Sequence, residues 1–172
     1  MSIETDTDIR DITIIGAGPV GLCTAFWAGM REASARIIDS LPEIGGQLTT
    51  LYPEKWIFDV PGHPRVLAKD LVAQLREQIE PFDVPIPLET TAESIPYEGE
   101  GDDRIVVLRT ADGRELRSRT VIVSGGHGAF EPKKLPVSDV DLEPWEGKGV
   151  HYLVGDKHAF LGKRVLIVGG GD

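Results

Sequence analysis

Ile12-Thr13-Ile14-Ile15-Gly16-Ala17-Gly18-Pro19-Val20-Gly21 is the stretch on which the fold turns, and Ala35-Arg36-Ile37-Ile38-Asp39 completes it. Three isoleucines and a threonine, stopped by glycine, form the short apolar run of a strand buried in a parallel sheet. Pro19 to Met30 then reads as a helix carrying small and apolar residues on several faces, and residues 35–39 read as a second strand. The three together predict a βαβ unit starting almost at the N-terminus. Within it Gly16, Gly18 and Gly21 fit the pattern GxGxxG. Such glycines supply in turn a tight turn, a close backbone approach to a pyrophosphate, and tight helix–strand packing. The helix N-terminus presents unpaired N–H groups and the positive end of its dipole to the same phosphates. Asp39 stands 18 residues beyond Gly21, placed to accept hydrogen bonds from an adenosine ribose. Alone, a glycine motif is weak evidence and a strand-end Asp is a surface acid; in sequence they point to dinucleotide binding. The acid disfavours a 2′-phosphate, so FAD or NAD rather than NADP is expected at this first site.

Outward from this unit the chain loses regularity. Residues 40–66 are rich in Gly and Pro without a clear period, a length of irregular chain that is often a binding loop. Gly45-Gly46-Gln47-Leu48 falls here, beyond the ribose acid, where a loop would close over the middle of a long dinucleotide. Leu67, Leu71, Leu75 and Ile79 share one face of a helix near 67–79 that Pro81 stops. Arg104 to Arg109 is β-rich and Asp112-Gly113 supplies a hairpin turn. Thr120 to Val123 reads as another buried strand, ending in Ser124-Gly125-Gly126. Residues 127–150 read as a connecting segment, and Lys163 to Val168 as a fresh strand running into Gly169-Gly170-Gly171-Asp172. A strand followed by glycines opens a second dinucleotide-type unit, yet no helix follows to complete it. The chain is therefore expected to be the N-terminal part of a longer protein, a natural short protein being the alternative. The fold class expected is α/β: a Rossmann-like βαβ domain with an inserted β-hairpin or meander, truncated at the start of a second Rossmann domain. Residues 1–10 form an acidic tail, 11–150 the first dinucleotide-binding domain, and 151–172 a linker and the first strand of the next.

Composition narrows the function. With 172 residues, 41% hydrophobic and 27% charged, the chain is of ordinary globular character and has about one domain's length. Its 18 basic and 28 acidic residues give a net charge of −10, which argues against nucleic acid or an anionic membrane as the main partner. Apolar runs such as Val165-Leu166-Ile167-Val168 fall far short of the ~20 residues of a membrane span, and Met1 to Asp11 is no signal peptide, so a cytoplasmic location is expected. One cysteine, Cys23, excludes an internal disulfide and a CxxC pair; it is expected to be a small buried packing residue. His63, His127, His151 and His158 show no metal-binding spacing, and no metal is expected. No side chain stands out as a general acid or base, so no catalytic residue is named.

Beyond the glycine motif and Asp39, the segments Gly45-Gly46-Gln47-Leu48 and Tyr52-Pro53-Glu54-Lys55-Trp56-Ile57-Phe58-Asp59-Val60 resemble the thioredoxin-reductase-like ferredoxin–NADP⁺ reductases. So do Gly128-Ala129-Phe130-Glu131-Pro132-Lys133-Lys134-Leu135, Val150-His151-Tyr152, Asp156-Lys157 and Phe160-Leu161-Gly162-Lys163. The resemblance covers residues 11–172, and the Tyr-Pro-Glu-Lys and Gly-Ala-Phe segments are far more specific than the glycines. It implies a homodimeric flavoenzyme whose FAD domain is interrupted by an NADPH domain. Such enzymes pass hydride from NADPH to FAD and single electrons to ferredoxin or a flavodoxin-like carrier. It further implies that Gly16, Gly18, Pro19, Val20, Gly21, Gly46 and Leu48 lie in the FAD site and that Asp39 holds the adenosine ribose. Gln47 and Tyr52 would contact FAD, Ala92 would meet the adenine through its backbone, and Phe130 would pack on the cofactor. Taken alone, Tyr52 and Phe130 read as core aromatics. Thioredoxin reductases carry a CxxC before their second glycine motif; Tyr152 and Gly155 stand there, so the dithiol is absent. An acidic ferredoxin is a poor match for a net-acidic chain, and Lys133, Lys134, Lys163 and Arg164 are the candidates for a local basic patch. Gly169-x-Gly171 would open the NADPH motif.

Two other functions share the same motifs. A non-catalytic dinucleotide-binding module needs only the βαβ unit. An NAD(P)H-dependent flavoenzyme with a quinone or disulfide acceptor would differ in residues that do not belong to this stretch.

Overall fold

The computed structural model describes residues 5–128, 134–137, 139–152, 154 and 157–169, which fall in two compact units, Met1–Glu131 and Pro132–Asp172. In the first unit the elements follow as β1 (Thr5–Ile15), α1 (Pro19–Gly29), β2 (Ala35–Ile38), α2 (Gln47–Thr50), β3 (Trp56–Ile57) and β4 (Val66–Leu67). Then come α3 (Ala68–Ile79), β5 (Ala92–Ser94), β6 (Tyr97–Glu98), β7 (Ile105–Thr110) and β8 (Glu115–Val123). The main sheet has the order β2-β1-β8-β7-β5, with β6 also on β7. β1 is parallel to β2, from Ile12 opposite Ala35 to Ile15 opposite Ile38, and parallel to β8, from Ile12 opposite Thr120 to Ile15 opposite Val123. The remaining pairs, β7 with β8, β5 and β6, are antiparallel and form the meander.

Alternation along β1 and β2 builds two cores. Ile14 and Ile37 point to one face and pack with Ala17, Leu22 and Ala25 around α1 and with Val72 and Ile79 of α3. Their neighbours Ile15 and Ile38 point to the other face, where Ile38 meets Leu108 and Leu116 of the meander. Both faces of the parallel strands are thus covered, which is why the sequence there is continuously apolar rather than alternating. α3 buries Leu71, Val72 and Ile79 along one stripe. Gly29 ends α1 against Phe82, whose ring atoms lie 2.3 Å from where a Cβ at that position would sit.

In the first unit four expectations are revised. β1 begins at Thr5, inside the stretch read as an acidic tail. Residues 40–66 hold the short α2 and a two-stranded antiparallel sheet, Trp56 opposite Leu67 and Ile57 opposite Val66. The hairpin arm and the run Thr120–Val123 are one strand, β8: its first half, as far as Ser118, lies between β7 and β1, and its second half pairs with β1 alone. Among the described residues no strand borders that second half on its other edge, so Thr120 and Val123 are exposed rather than buried. Cys23 is exposed, because Leu22, Ala25 and Ala28 take the inner face of α1 and Cys23 falls outside that arc.

In the second unit, described by itself, single 3₁₀ turns at Glu143–Trp145 and Lys157–Phe160 and a lone bridge between Glu146 and Val150 are the regular features. The strand expected over 163–168 does not form among the described residues. Val165 to Val168 are exposed, Leu166 at 87%, since a strand needs a neighbour for its backbone groups and none is there. No helix of the described residues is long and apolar enough to cross a membrane.

Candidate dinucleotide-binding cleft

The turn between β1 and α1 is glycine for two separate reasons. Gly16 has φ +110°, and a Cβ there would lie 2.4 Å from the Ser124 carbonyl oxygen. Its N–H donates to the Ile38 carbonyl at 2.8 Å, and Ser124 locks the turn from the other side, its hydroxyl donating to Ile15 O at 3.0 Å. Gly21 sits on the same turn, where a Cβ would come within 1.8 Å of Gly16 O, so no larger residue lets α1 lie this close. Gly18 is different: nothing lies within 4 Å of a Cβ built on it, so its missing side chain leaves open space in front of the helix. α1 starts there with Pro19 at its first position and no side-chain cap, and its first-turn N–H groups are left for whatever enters. Gly46, at φ +57°, faces Gly18 across the turn: a Cβ built on it would lie 3.4 Å from Gly18 Cα.

Asp39 has a role that the sequence did not reveal. Its Oδ2 accepts from Ala17 N–H at 2.6 Å, its Oδ1 from Leu41 N–H at 2.9 Å, and it is 9% exposed. The carboxylate therefore fixes the glycine turn and its own strand end, while a carboxylate's further lone pairs remain for ribose hydroxyls. Its carbonyl accepts from Thr90 N–H at 2.7 Å, which draws the segment before β5 against the end of β2.

These parts enclose a cleft of about 370 Å³. Of the residues picked out from the sequence, Gly16, Gly18, Pro19, Val20, Asp39, Gly46, Gln47, Leu48 and Ala92 line it. Gly21 supports it from beneath. Tyr52 is not part of the lining: it is 41% exposed, its N–H donates to Gln47 O at 3.2 Å, and the Lys55 ammonium lies 5.0 Å from its ring. Phe130 lies outside the described residues, as do Ala129 and Lys133. Thr90, Thr91 and the run Ser124–Gly128 also line the cleft and were not foreseen as site residues, although Ser124-Gly125-Gly126 carries the small residues of a strand-end turn. Among the described lining residues only Asp39 and His127 are ionisable. With no lysine or arginine present, an anionic group here is met by backbone N–H groups and the end of α1. Of the basic-patch candidates, Lys134 is engaged with Glu146 at 2.9 Å, which raises its pKa, and the Lys163 ammonium lies 5.8 Å from the Phe160 ring.

Comparison with known proteins agrees with this geometry. Residues 14–68 match the model of the NAD(P)-binding Rossmann-like domain. The chain is 48% identical over 99% of its length to a ferredoxin–NADP reductase 2 of Listeria monocytogenes and 49% identical to that of Bacillus subtilis, over 50% and 49% of those proteins. It thus spans about half the length of the curated relatives it matches. Among solved structures, thioredoxin reductase of Streptococcus pyogenes superposes with a TM-score of 0.57 at 27% identity, over 75% of this chain and 38% of that one. A steroid monooxygenase at 19% identity and TM-score 0.58 shares the fold alone. The chain is thus similar to ferredoxin–NADP reductases along its whole length and to about half of theirs, and it shares the fold of thioredoxin reductase.

Proposed function

We propose that this chain is the FAD-binding portion of an oxidoreductase that passes electrons from NADPH through FAD to ferredoxin or a flavodoxin-like carrier. The observation that carries the cofactor assignment is the uncapped start of α1 facing open space at Gly18, with Asp39 at the neighbouring strand end. That arrangement fits a pyrophosphate flanked by an adenosine ribose. The relatives' names supply the carrier and the NADP. In this reading Gly16 and Gly21 shape the turn, while Gly18, Pro19 and Val20 receive the pyrophosphate on backbone N–H groups and apolar surface. Asp39 and Ala92 hold the adenosine end, and Gly46, Gln47 and Leu48 cover the middle of the cofactor. Tyr52 and Phe130 are assigned to its flavin end on the family resemblance. When bound, the flavin supplies the chemistry, taking up hydride and giving out single electrons; the protein binds and orients it.

Gly169 is assigned to the opening of the site for NADPH. Residues 11–150 belong to the FAD domain, 151–172 open the NADPH domain, and the working form is a cytoplasmic homodimer. A protein of the relatives' full length is expected to reduce a one-electron acceptor on addition of NADPH. NADPH oxidation absent in a flavin-loaded preparation would contradict the oxidoreductase reading and favour a binding module. Turnover confined to quinones or disulfides would contradict the carrier.

A further inference from the structure

The wall of the cleft that carries Thr90, Thr91 and Ala92 is tied to a hairpin turn that has no part in the glycine motif. Thr90 is 2% exposed; its hydroxyl donates to Leu88 O at 2.9 Å and accepts from Arg114 Nη2 at 2.7 Å. Its N–H donates to the Asp39 carbonyl, and Ala111 N–H donates to Thr91 O at 2.9 Å. Arg114 is itself held. Its Nε donates to Asp112 Oδ2 at 2.8 Å, its backbone N–H to Thr110 Oγ1 at 3.1 Å, and the Thr110 hydroxyl closes on Asp112 Oδ1 at 2.5 Å. A guanidinium clamped on one edge by a carboxylate can aim its remaining N–H groups in only one direction. A polar path therefore runs from Asp112 through Arg114 and Thr90 to Asp39, and from Asp39 to the N–H of Ala17 in the glycine turn.

We propose that Arg114 is a positioning residue for the nucleoside end of the cleft. Through the Thr90 hydroxyl it sets the backbone of Thr90 to Ala92, and with it the Asp39 strand end, against which an adenosine moiety is received. Arg114 does not line the cleft, so its effect travels through Thr90. The fold can survive its loss, because Thr90 keeps a partner for its proton at Leu88 O and the exposed Asp112 carboxylate, which loses the guanidinium, keeps the Thr110 hydroxyl. The inference rests on the FAD reading above.

The test is calorimetric titration of ADP and of FAD into the chain and into Arg114→Met, Arg114→Lys, Thr90→Val and the Arg114→Met/Thr90→Val double variant. Arg114→Met is expected to weaken both ligands about tenfold, the loss of one charge-assisted hydrogen bond at Thr90, while the ligand-free chain still folds and its thermal midpoint falls only by the share of the exposed Asp112 pair. Arg114→Lys is expected to recover part of the affinity, since an ammonium reaches the hydroxyl but cannot also clasp Asp112. Adding Thr90→Val to Arg114→Met is expected to cost nothing further, as both remove one link. Unchanged ADP affinity in Arg114→Met, or additive losses in the double variant, would overturn the proposal. So would an Arg114→Lys chain as weak as Arg114→Met with an equally lowered midpoint. If the unaltered chain binds neither ligand, the FAD reading falls and this proposal with it; if it binds and the variants match it, only this proposal falls.

Discussion

Gly16 and Gly18 are two residues apart and differ in their constraints: the protein itself requires glycine at Gly16, whereas at Gly18 nothing in the protein does, and the proposed function assigns that space to a ligand. Alanine at Gly16 forces both a left-handed backbone and an overlap with Ser124 O, so Gly16→Ala is expected to cost ~3 kcal/mol or more of stability. Alanine at Gly18 meets nothing in the protein and its backbone is already ordinary, so Gly18→Ala is expected to cost under about 1 kcal/mol. Its methyl group would stand where a phosphate approaches, and FAD affinity is expected to fall by at least about tenfold. Thermal unfolding alongside flavin titration separates the two; a stable Gly18→Ala chain with unaltered FAD affinity contradicts the placement of the pyrophosphate. Cys23 offers a check of the opposite kind. Exposed on α1, it is expected to react with a thiol reagent in the folded chain, and Cys23→Ser to change stability by no more than ~0.5 kcal/mol. At Asp112, hydrogen bonds from Arg114 and then from Thr110 hold the carboxyl well below its ordinary value of 3.8. A group with a depressed folded pKa contributes stability above its unfolded value and loses it as pH falls. The hairpin contribution is therefore intact at neutral pH and fades below 3.8, and the difference in thermal midpoint between the native chain and Asp112→Asn is expected to shrink in that range.

The elements that were legible in the sequence are those whose pattern is set locally. α1 starts where a proline follows glycine, and α3 is marked by a stripe of apolar residues at helical spacing. Leu71 belongs to that stripe and is buried, so Leu71→Ala is expected to cost about 2–5 kcal/mol in an unfolding titration, as cavities of that size do. Elements that depend on distant partners were not legible. β8 reads as two strands because β7 accompanies only its first half, while the β1 pairing that runs along both halves is visible only in the fold. Val165 to Val168 read as a strand by composition, yet backbone pairing, not composition, makes a strand, and the described residues give it no neighbour. The candidate site divides the same way. Gly16, Gly18, Gly21 and Asp39 follow from one contiguous motif, whereas Thr90 and Ser124 come to the cleft from far along the chain, and Arg114 to Thr90 behind it, through hydrogen bonds that no local pattern announces. Ala92 was reached only through the family resemblance.

On the scale of the molecule, a net charge of −10 surrounds a cleft whose described lining holds one acid, one histidine and no lysine or arginine. An anionic cofactor must then be received by directed backbone dipoles rather than by side-chain charge. The chain corresponds to about half of each relative, and its first unit carries every described lining residue of the cleft. The central claim is that this unit binds FAD through the α1 terminus. Its most direct test is the absorbance spectrum of the purified chain on titration with FAD, followed by release and identification of the bound ligand. The account predicts a flavin spectrum shifted from that of free FAD, saturating at one equivalent per chain. A folded chain that leaves the FAD spectrum unchanged, or that binds ADP or NAD but not FAD, would contradict it.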